Sequence, residues 1–354
     1  MTDLADLPNP LTTVRSAFAA VPGYLDAATL GLPARATMTA LADALKNWQQ
    51  GAASASGYDA AVQASRAAYA RLVGVPPSWV AVGSQVSAQL AVVGAALPDD
   101  AEVLVPGDDF ASVVFPFLVH RDRGVTVRQV PLDRLAEEIR PSTTVVAFSV
   151  AQSADGRLAD LAAVPEAARA HGALTVCDTT QAVGWLPVAA SELDVSVCAA
   201  YKWLSCPRGV SFMTVRPAVW ERLRPVAAGW YAGESVWDSI YGPEMVLATD
   251  ARRFDVSPAW LAWVGAAPVL ELFADAEPSE LAAGVVLAAR VRAGLGMPET
   301  SSPVVSLTDP TGGLSRRLRA AGCAFATRSA RIRLAFHVWN DDRDADLVLS
   351  ACAS

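Results

Sequence analysis

Of the 28 cationic side chains in this sequence only two are lysines, Lys46 and Lys202, and the rest are arginines. A guanidinium stays protonated and cannot condense with a carbonyl, whereas a desolvated lysine amine can lose its proton and attack an aldehyde. Lys202 is thus the residue whose type points to covalent chemistry, although a lone lysine at a strand end can also snorkel to water. Its setting adds to the case. Leu174-Thr175-Val176-Cys177 is a short, β-branched apolar run that reads as a buried strand, so Asp178 falls where the strand ends. A carboxylate there needs a cationic partner. Val195 to Ala200 reads as a second strand delivering Tyr201-Lys202-Trp203, followed by a Pro207-Arg208-Gly209 turn and a third strand, Val210 to Val215. An acid and an amine are thereby brought to the ends of two strands.

Other residues could serve the same site. Val80-Ala81-Val82 reads as a strand running into Gly83-Ser84-Gln85-Val86-Ser87, after which Ala88 to Leu97 has helical periodicity. A strand that opens a helix through a glycine turn is a ready anion seat, because the first-turn amides are unpaired and carry partial positive charge. Ser84 could alternatively act as a plain N-cap. Glu102 to Pro106 is a further strand, leading to Phe110, whose ring could stack on a planar ligand or pack in the core. Thr143 to Val150 leads to Gln152, and a late strand, Arg331 to Phe336, carries Arg331 and Arg333 on one face by its period of two.

Taken in order, Asp178-Thr179-Thr180-Gln181-Ala182 and Lys202-Trp203-Leu204-Ser205-Cys206-Pro207-Arg208-Gly209 resemble two sequence blocks of the class V aminotransferase superfamily of pyridoxal-phosphate enzymes. That superfamily includes cysteine desulfurases, kynureninases, isopenicillin epimerases and carbon-sulfur lyases of the ergothioneine pathway. Tyr24 to Thr29, Phe110-Ala111-Ser112, Arg252 to Pro258 and Arg331 to Asn340 resemble further blocks, so the likeness runs from about Tyr24 to Leu347. It implies a fold-type I α/β architecture, with a large, mostly parallel α/β domain and a smaller α+β domain. It implies pyridoxal 5'-phosphate attached to Lys202, with Asp178 at the pyridine nitrogen. Gln181 and Gln152 would bond the cofactor's periphery, Phe110 would stack on its ring, and Ser84, Gln85 and Val86 would hold its phosphate. Ser257 replaces a threonine that reaches the phosphate across a homodimer interface, and Val256 replaces the glycine before it. Arg333, with Arg331 as the alternative, would grip the substrate carboxylate in a pocket bordered by Ala28 and Thr29.

The elements needed to carry these residues are legible as alternation. Helical patterns at Pro33 to Trp48 and Tyr58 to Val73 precede the strands, and a strand at Val125 to Val130 adds to them. Helices are expected at Leu132 to Ile139 and Leu158 to His171. Beyond Val215 come helices at Trp260 to Phe273, Glu280 to Leu295 and Leu314 to Ala321, interleaved with strands at Val304 to Leu307 and Cys323 to Thr327. We expect a cofactor-binding domain over residues 20–235 and a small domain from 1–19 with 236–354. A hydrophobic fraction of 53% and a net charge of −8 describe a globular protein with no nucleic-acid footprint. The Met1 to Asp6 start has no basic region before an apolar core, and no apolar run reaches membrane-span length, so a cytoplasmic protein is expected. Five cysteines without CxxC spacing suit reduced thiols, and three scattered histidines give a metal site no support.

The resemblance names an α-amino acid as substrate but leaves the reaction open. Cysteine desulfurases carry a nucleophilic Cys shortly before the carboxylate arginine, whereas here Thr327 to Ala330 precedes Arg331. A carbon-sulfur lyase-type β-elimination, releasing pyruvate and ammonia, is the leading reading. An aminotransferase or epimerase is the alternative, as is an idle relative that only binds the cofactor, against which Asp178 and Lys202 both stand. A dinucleotide site would need GxGxxG, and Gly83 stands alone.

Overall fold

The computed structural model describes residues 13–328 and 330–353. The Met1 to Asp6 start, most of the expected 1–19 segment and Ser329 lie outside the described residues. In chain order the helices are α1 Thr13–Ser16, α2 Arg35–Gln49, α3 Ala55–Leu72, α4 Val86–Ala96, α5 Ala111–Leu118, α6 Ala163–His171, α7 Trp260–Ala274, α8 Pro278–Leu281, α9 Ala283–Gly294, α10 Gly313–Ala320 and α11 Asp342–Ala353. The strands are β1 Val80–Gly83, β2 Glu102–Pro106, β3 Thr126–Val130, β4 Thr143–Ser149, β5 Leu174–Asp178, β6 Val195–Ala199, β7 Ser211–Val215, β8 Val304–Thr308, β9 Ala326–Arg328 and β10 Arg331–Ala335.

Seven strands form one sheet in the order β1-β7-β6-β5-β4-β2-β3, and β8-β10-β9 form an antiparallel second sheet. β2 to β6 run parallel, while β7 is antiparallel to both β6 and β1. Because β1 is reversed twice across β7, it points the same way as β6. The C-terminal ends of β1, β4, β5 and β6 therefore share one edge of the sheet, which is where ligands bind in open α/β sheets.

Near-continuous apolar strands need cover on both faces, and they receive it. Val82, Phe148, Cys177 and Phe212 pack with residues of α3 and α7, such as Tyr69 and Trp263. Their alternating neighbours Ala81, Ala147, Val176 and Met213 pack with Leu90 of α4 and Phe117 of α5. Each such large side chain withdrawn from water contributes about 1.5 to 3 kcal/mol. The second sheet has its own core, in which Val305, Ile332 and Leu334 meet α9, α10 and α11 through Leu287, Leu318 and Val348. Leu25 joins that core, since Tyr24 and Asp26 bridge to Ala324 and Ala335.

Four expected elements are corrected. Leu132 to Ile139 makes only a 3₁₀ turn over Leu132–Arg134. It is bounded by Pro131 and Pro141, and Arg128 of β3 holds Glu138, so the segment is drawn along the sheet instead of coiling. The crossover helix begins at Ala163 and not at Leu158. Leu158 bridges to Ala151, and Asp160 then accepts from the amides of Ala162 and Ala163 as the helix starts. The helix expected over Glu280 to Leu295 is divided at Ala282 into α8 and α9. Cys323 lies outside β9, because Ala324 pairs with Tyr24.

Candidate functional site

A cleft of about 610 Å³, the open solvent at its mouth included, lies at the shared strand edge. Lys202, Asp178, Gln181, Phe110, Ser84, Gln85 and Val86 all line it, as do Ser153, Tyr201 and Arg208, which the sequence had not marked for this cleft. Asp178 ends β5 with Oδ1 accepting from the Thr180 amide at 2.8 Å. Burial pushes its pKa up, opposed by that hydrogen bond and by the Lys202 charge. Among the described residues it has no ion pair, so a buried carboxylate faces the cleft in want of a cation.

Lys202 follows the end of β6 on a loop fixed from three sides. The Ser205 amide donates to the Lys202 carbonyl, the Gly31 amide to the Tyr201 carbonyl, and His337 Nε2 lies 2.8 Å from the Trp203 carbonyl. A Cβ at Gly31 would sit 2.1 Å from the Lys202 oxygen, so only glycine allows the two segments to approach. Burial lowers the Lys202 amine to about 8, with Asp178 opposing the shift and Arg333 adding to it. Its Nζ lies 5.2 Å from the centroid of the Phe110 ring. Phe110 is 46% exposed, and its amide donates to Asp109 Oδ1, while Asp109 also accepts from the amide of Ser149 and the side chain of Gln152. Asp109 is thus a strut for the ring that sequence reading missed.

Around Gln181 the hydrogen-bond roles are forced. Trp203 Nε1, which can only donate, gives to Gln181 Oε1 at 2.7 Å, so the Gln181 amide nitrogen must be the atom facing the Ala28 carbonyl and Ser153 Oγ. Arg333 Nη1, also a pure donor, reaches the Ser153 carbonyl at 2.6 Å and Ser153 Oγ at 3.1 Å. Both lone pairs of the Ser153 hydroxyl are occupied, and its proton is left to donate elsewhere. Gln152 instead turns its amide to Asp109 and the Ser149 carbonyl, and Ser153 takes the place in the cleft wall that had been expected of it. The sequence signal was a one-residue ambiguity past β4, resolved only by the Ala151 to Leu158 bridge.

Arg333 is 1% exposed and bonds Thr29 Oγ1 at 2.6 Å, with Asp26 Oδ1 at 3.6 Å from Nη2. Among the described residues its Nε and Asp26 Oδ1 have no hydrogen-bond partner. Burial lowers the pKa of Arg333 and raises that of Asp26. Arg331 is exposed and bonds Ser306. Ala28 is buried behind Gln181, and Ser257 is exposed and outside the cleft wall. α4 starts at Gln85 without a side-chain cap, leaving its first-turn amides toward Ser84 and the cleft.

Four features of this wall fit one ligand. A lysine amine at about 8 suits an aldehyde, and the buried Asp178, which has no ion pair among the described residues, suits a protonated pyridine nitrogen. The uncapped helix start suits a phosphate ester, and the exposed ring of Phe110 suits a planar heterocycle.

The fold and this cleft define an α/β protein of the pyridoxal-phosphate type. Residues 24–285 match the aminotransferase class-V family, and the chain belongs to it. The cofactor of the family is pyridoxal phosphate. The chain is similar to the uncharacterized aminotransferase YcbU of Bacillus subtilis, 30% identical over 59% of this chain and 57% of that protein. It is similar to the isopenicillin N epimerase of Streptomyces clavuligerus, 29% identical over 47% of this chain and 46% of that enzyme. The matches thus span about half the length of these two relatives. In fold it resembles the cystine C-S lyase C-DES, solved with its product cysteine persulfide, with a TM-score of 0.85 and 20% identity over 95% of this chain and 98% of that one. Among the described residues no helix is long and apolar enough to cross a membrane.

Proposed function

We propose that the protein is a pyridoxal-phosphate enzyme that cleaves the Cβ–S bond of S-substituted cysteines. With water, the substrate yields a thiol, pyruvate and ammonium. The bound cofactor supplies an electron sink for the pair released when the Cα proton leaves. Lys202, the buried amine at about 8, would hold the cofactor, then take the proton from Cα and pass it to the departing sulfur, which leaves as a thiol. Asp178 holds positive charge at the pyridine nitrogen, and the Asp109-braced Phe110 packs against the ring. Arg333 and the Ser153 hydroxyl hold the substrate carboxylate, the guanidinium as a charged fork and the serine as a neutral donor.

The observation that carries elimination, as against transfer of sulfur to the protein, is the absence of a thiol among the described residues that line the cleft. Cys177, Cys198, Cys206 and Cys323 are buried, and burial raises each of these thiols, that of Cys198 to about 12. None is a ready thiolate nucleophile.

The test is a product assay on holoenzyme with a panel of S-substituted cysteines and ordinary amino acids. Equimolar thiol, pyruvate and ammonia from the cysteines is the expected result. Keto acid formed only when a second keto acid is added as amino acceptor would assign aminotransfer instead, and loss of optical purity without keto acid would assign epimerisation.

A further inference from the structure

The residues lining the cleft include two cations, Lys202 and Arg208, against one carboxylate, Asp178. Lys202 is committed to the aldehyde once it holds one, which leaves Arg208 as the cation of the wall outside that bond. Arg208 is exposed and takes no hydrogen bond or ion pair among the described residues. It is nevertheless not a free-swinging side chain at its base. The Pro207-Arg208-Gly209 turn rests on α7, where Pro207 lies against Gly265, and Gly209 adopts φ +108°, a conformation that L side chains rarely take. The Arg208 guanidinium carbon lies 5.1 Å from the centroid of the Tyr201 ring, and Tyr201 also lines the cleft.

The same wall holds the start of α4, an 11-residue helix with neither a side-chain cap at Gln85 nor an acid in its first turn. A helix start presents roughly half an elementary charge, less than a phosphate monoester carries at neutral pH. A hydroxyl such as that of Ser257, expected to arrive across a homodimer interface, is neutral and does not make up the difference. The charge deficit and the unpaired arginine occur in one cleft.

We propose that Arg208 is the counter-ion of the cofactor's phosphate ester, binding it together with the first-turn amides of α4. This rests on Lys202 as the attachment point and is independent of which reaction follows.

The test compares full-length wild type with Arg208→Gln and Arg208→Lys, each freed of cofactor and titrated with pyridoxal phosphate and with pyridoxal. Cofactor absorbance reads the binding. Arg208→Gln is expected to weaken pyridoxal phosphate by about tenfold or more while leaving pyridoxal unchanged, with partial recovery in Arg208→Lys. Inorganic phosphate is expected to compete with pyridoxal phosphate less well in Arg208→Gln than in wild type. Unchanged affinity for pyridoxal phosphate would overturn the assignment. So would an equal loss for both ligands, which would show that Arg208 only supports the shape of the cleft. No product is measured, so failure of the elimination reading would leave this result standing.

Discussion

At the scale of single residues, Arg333 and Arg331 are separated by burial. Strand alternation would place both on one face, yet Arg333 is enclosed by Thr29, Ser153 and Asp26 while Arg331 lies exposed at the start of β10. If Arg333 holds the amino-acid carboxylate, Arg333→Lys loses a bidentate, charge-assisted pair and weakens substrate binding by roughly 1.5 to 3 kcal/mol. Arg331→Lys costs within about 0.5 kcal/mol. Amino-acid titration followed by the absorbance of bound cofactor measures both, and a larger loss at Arg331 would move the carboxylate to the other arginine. Asp178 and Lys202 were legible in the sequence because each follows an apolar, β-branched run that can only be a buried strand. Ser153 and Asp109 were not. Their places depend on hydrogen bonds between residues distant in sequence, such as Arg333 with Ser153 and Ser149 with Asp109.

At the scale of elements, the strand series was readable as short runs of apolar and β-branched residues, and nine of the ten strands lay within a residue or two of their expected limits. Segments whose form is set by partners elsewhere were not readable, as at Leu132 to Ile139, where Glu138 pairs with Arg128. The join between the two sheets carries a prediction of its own. His337, just beyond β10, is stacked 4.0 Å from Trp339 and 5.3 Å from Trp203, and faces the Trp203 carbonyl on the lysine loop. Burial lowers its pKa to about 4, with the Trp203 bond opposing the shift. The unfolded chain therefore binds the proton first, at about 6.5, and the neutral histidine's contribution is present above that pH and lost as pH falls toward 4. Wild type should lose roughly 2 kcal/mol through this group between pH 7 and pH 5. Urea denaturation of wild type and His337→Phe at the two pH values tests it. An identical drop in both proteins would remove His337 as the titrating group.

At the scale of the whole molecule, the exposed Ser257 and the groove lined by Trp48, Tyr58 and Trp260 contribute no residue to the wall of the chain's own cleft. We propose a two-fold homodimer that covers this surface, the commonest symmetry among soluble oligomers. Sedimentation of holoenzyme at micromolar concentration should show a dimer, and a monomer alone would contradict the proposal. The central claim is that this cleft holds pyridoxal phosphate through Lys202. Borohydride reduction of the cofactor-loaded protein, followed by peptide mapping, tests it most directly, because the sequence offers one other lysine as an internal control. A pyridoxyl group is expected on the peptide containing Lys202 and none on Lys46. Label on Lys46, or no label on either, would contradict it.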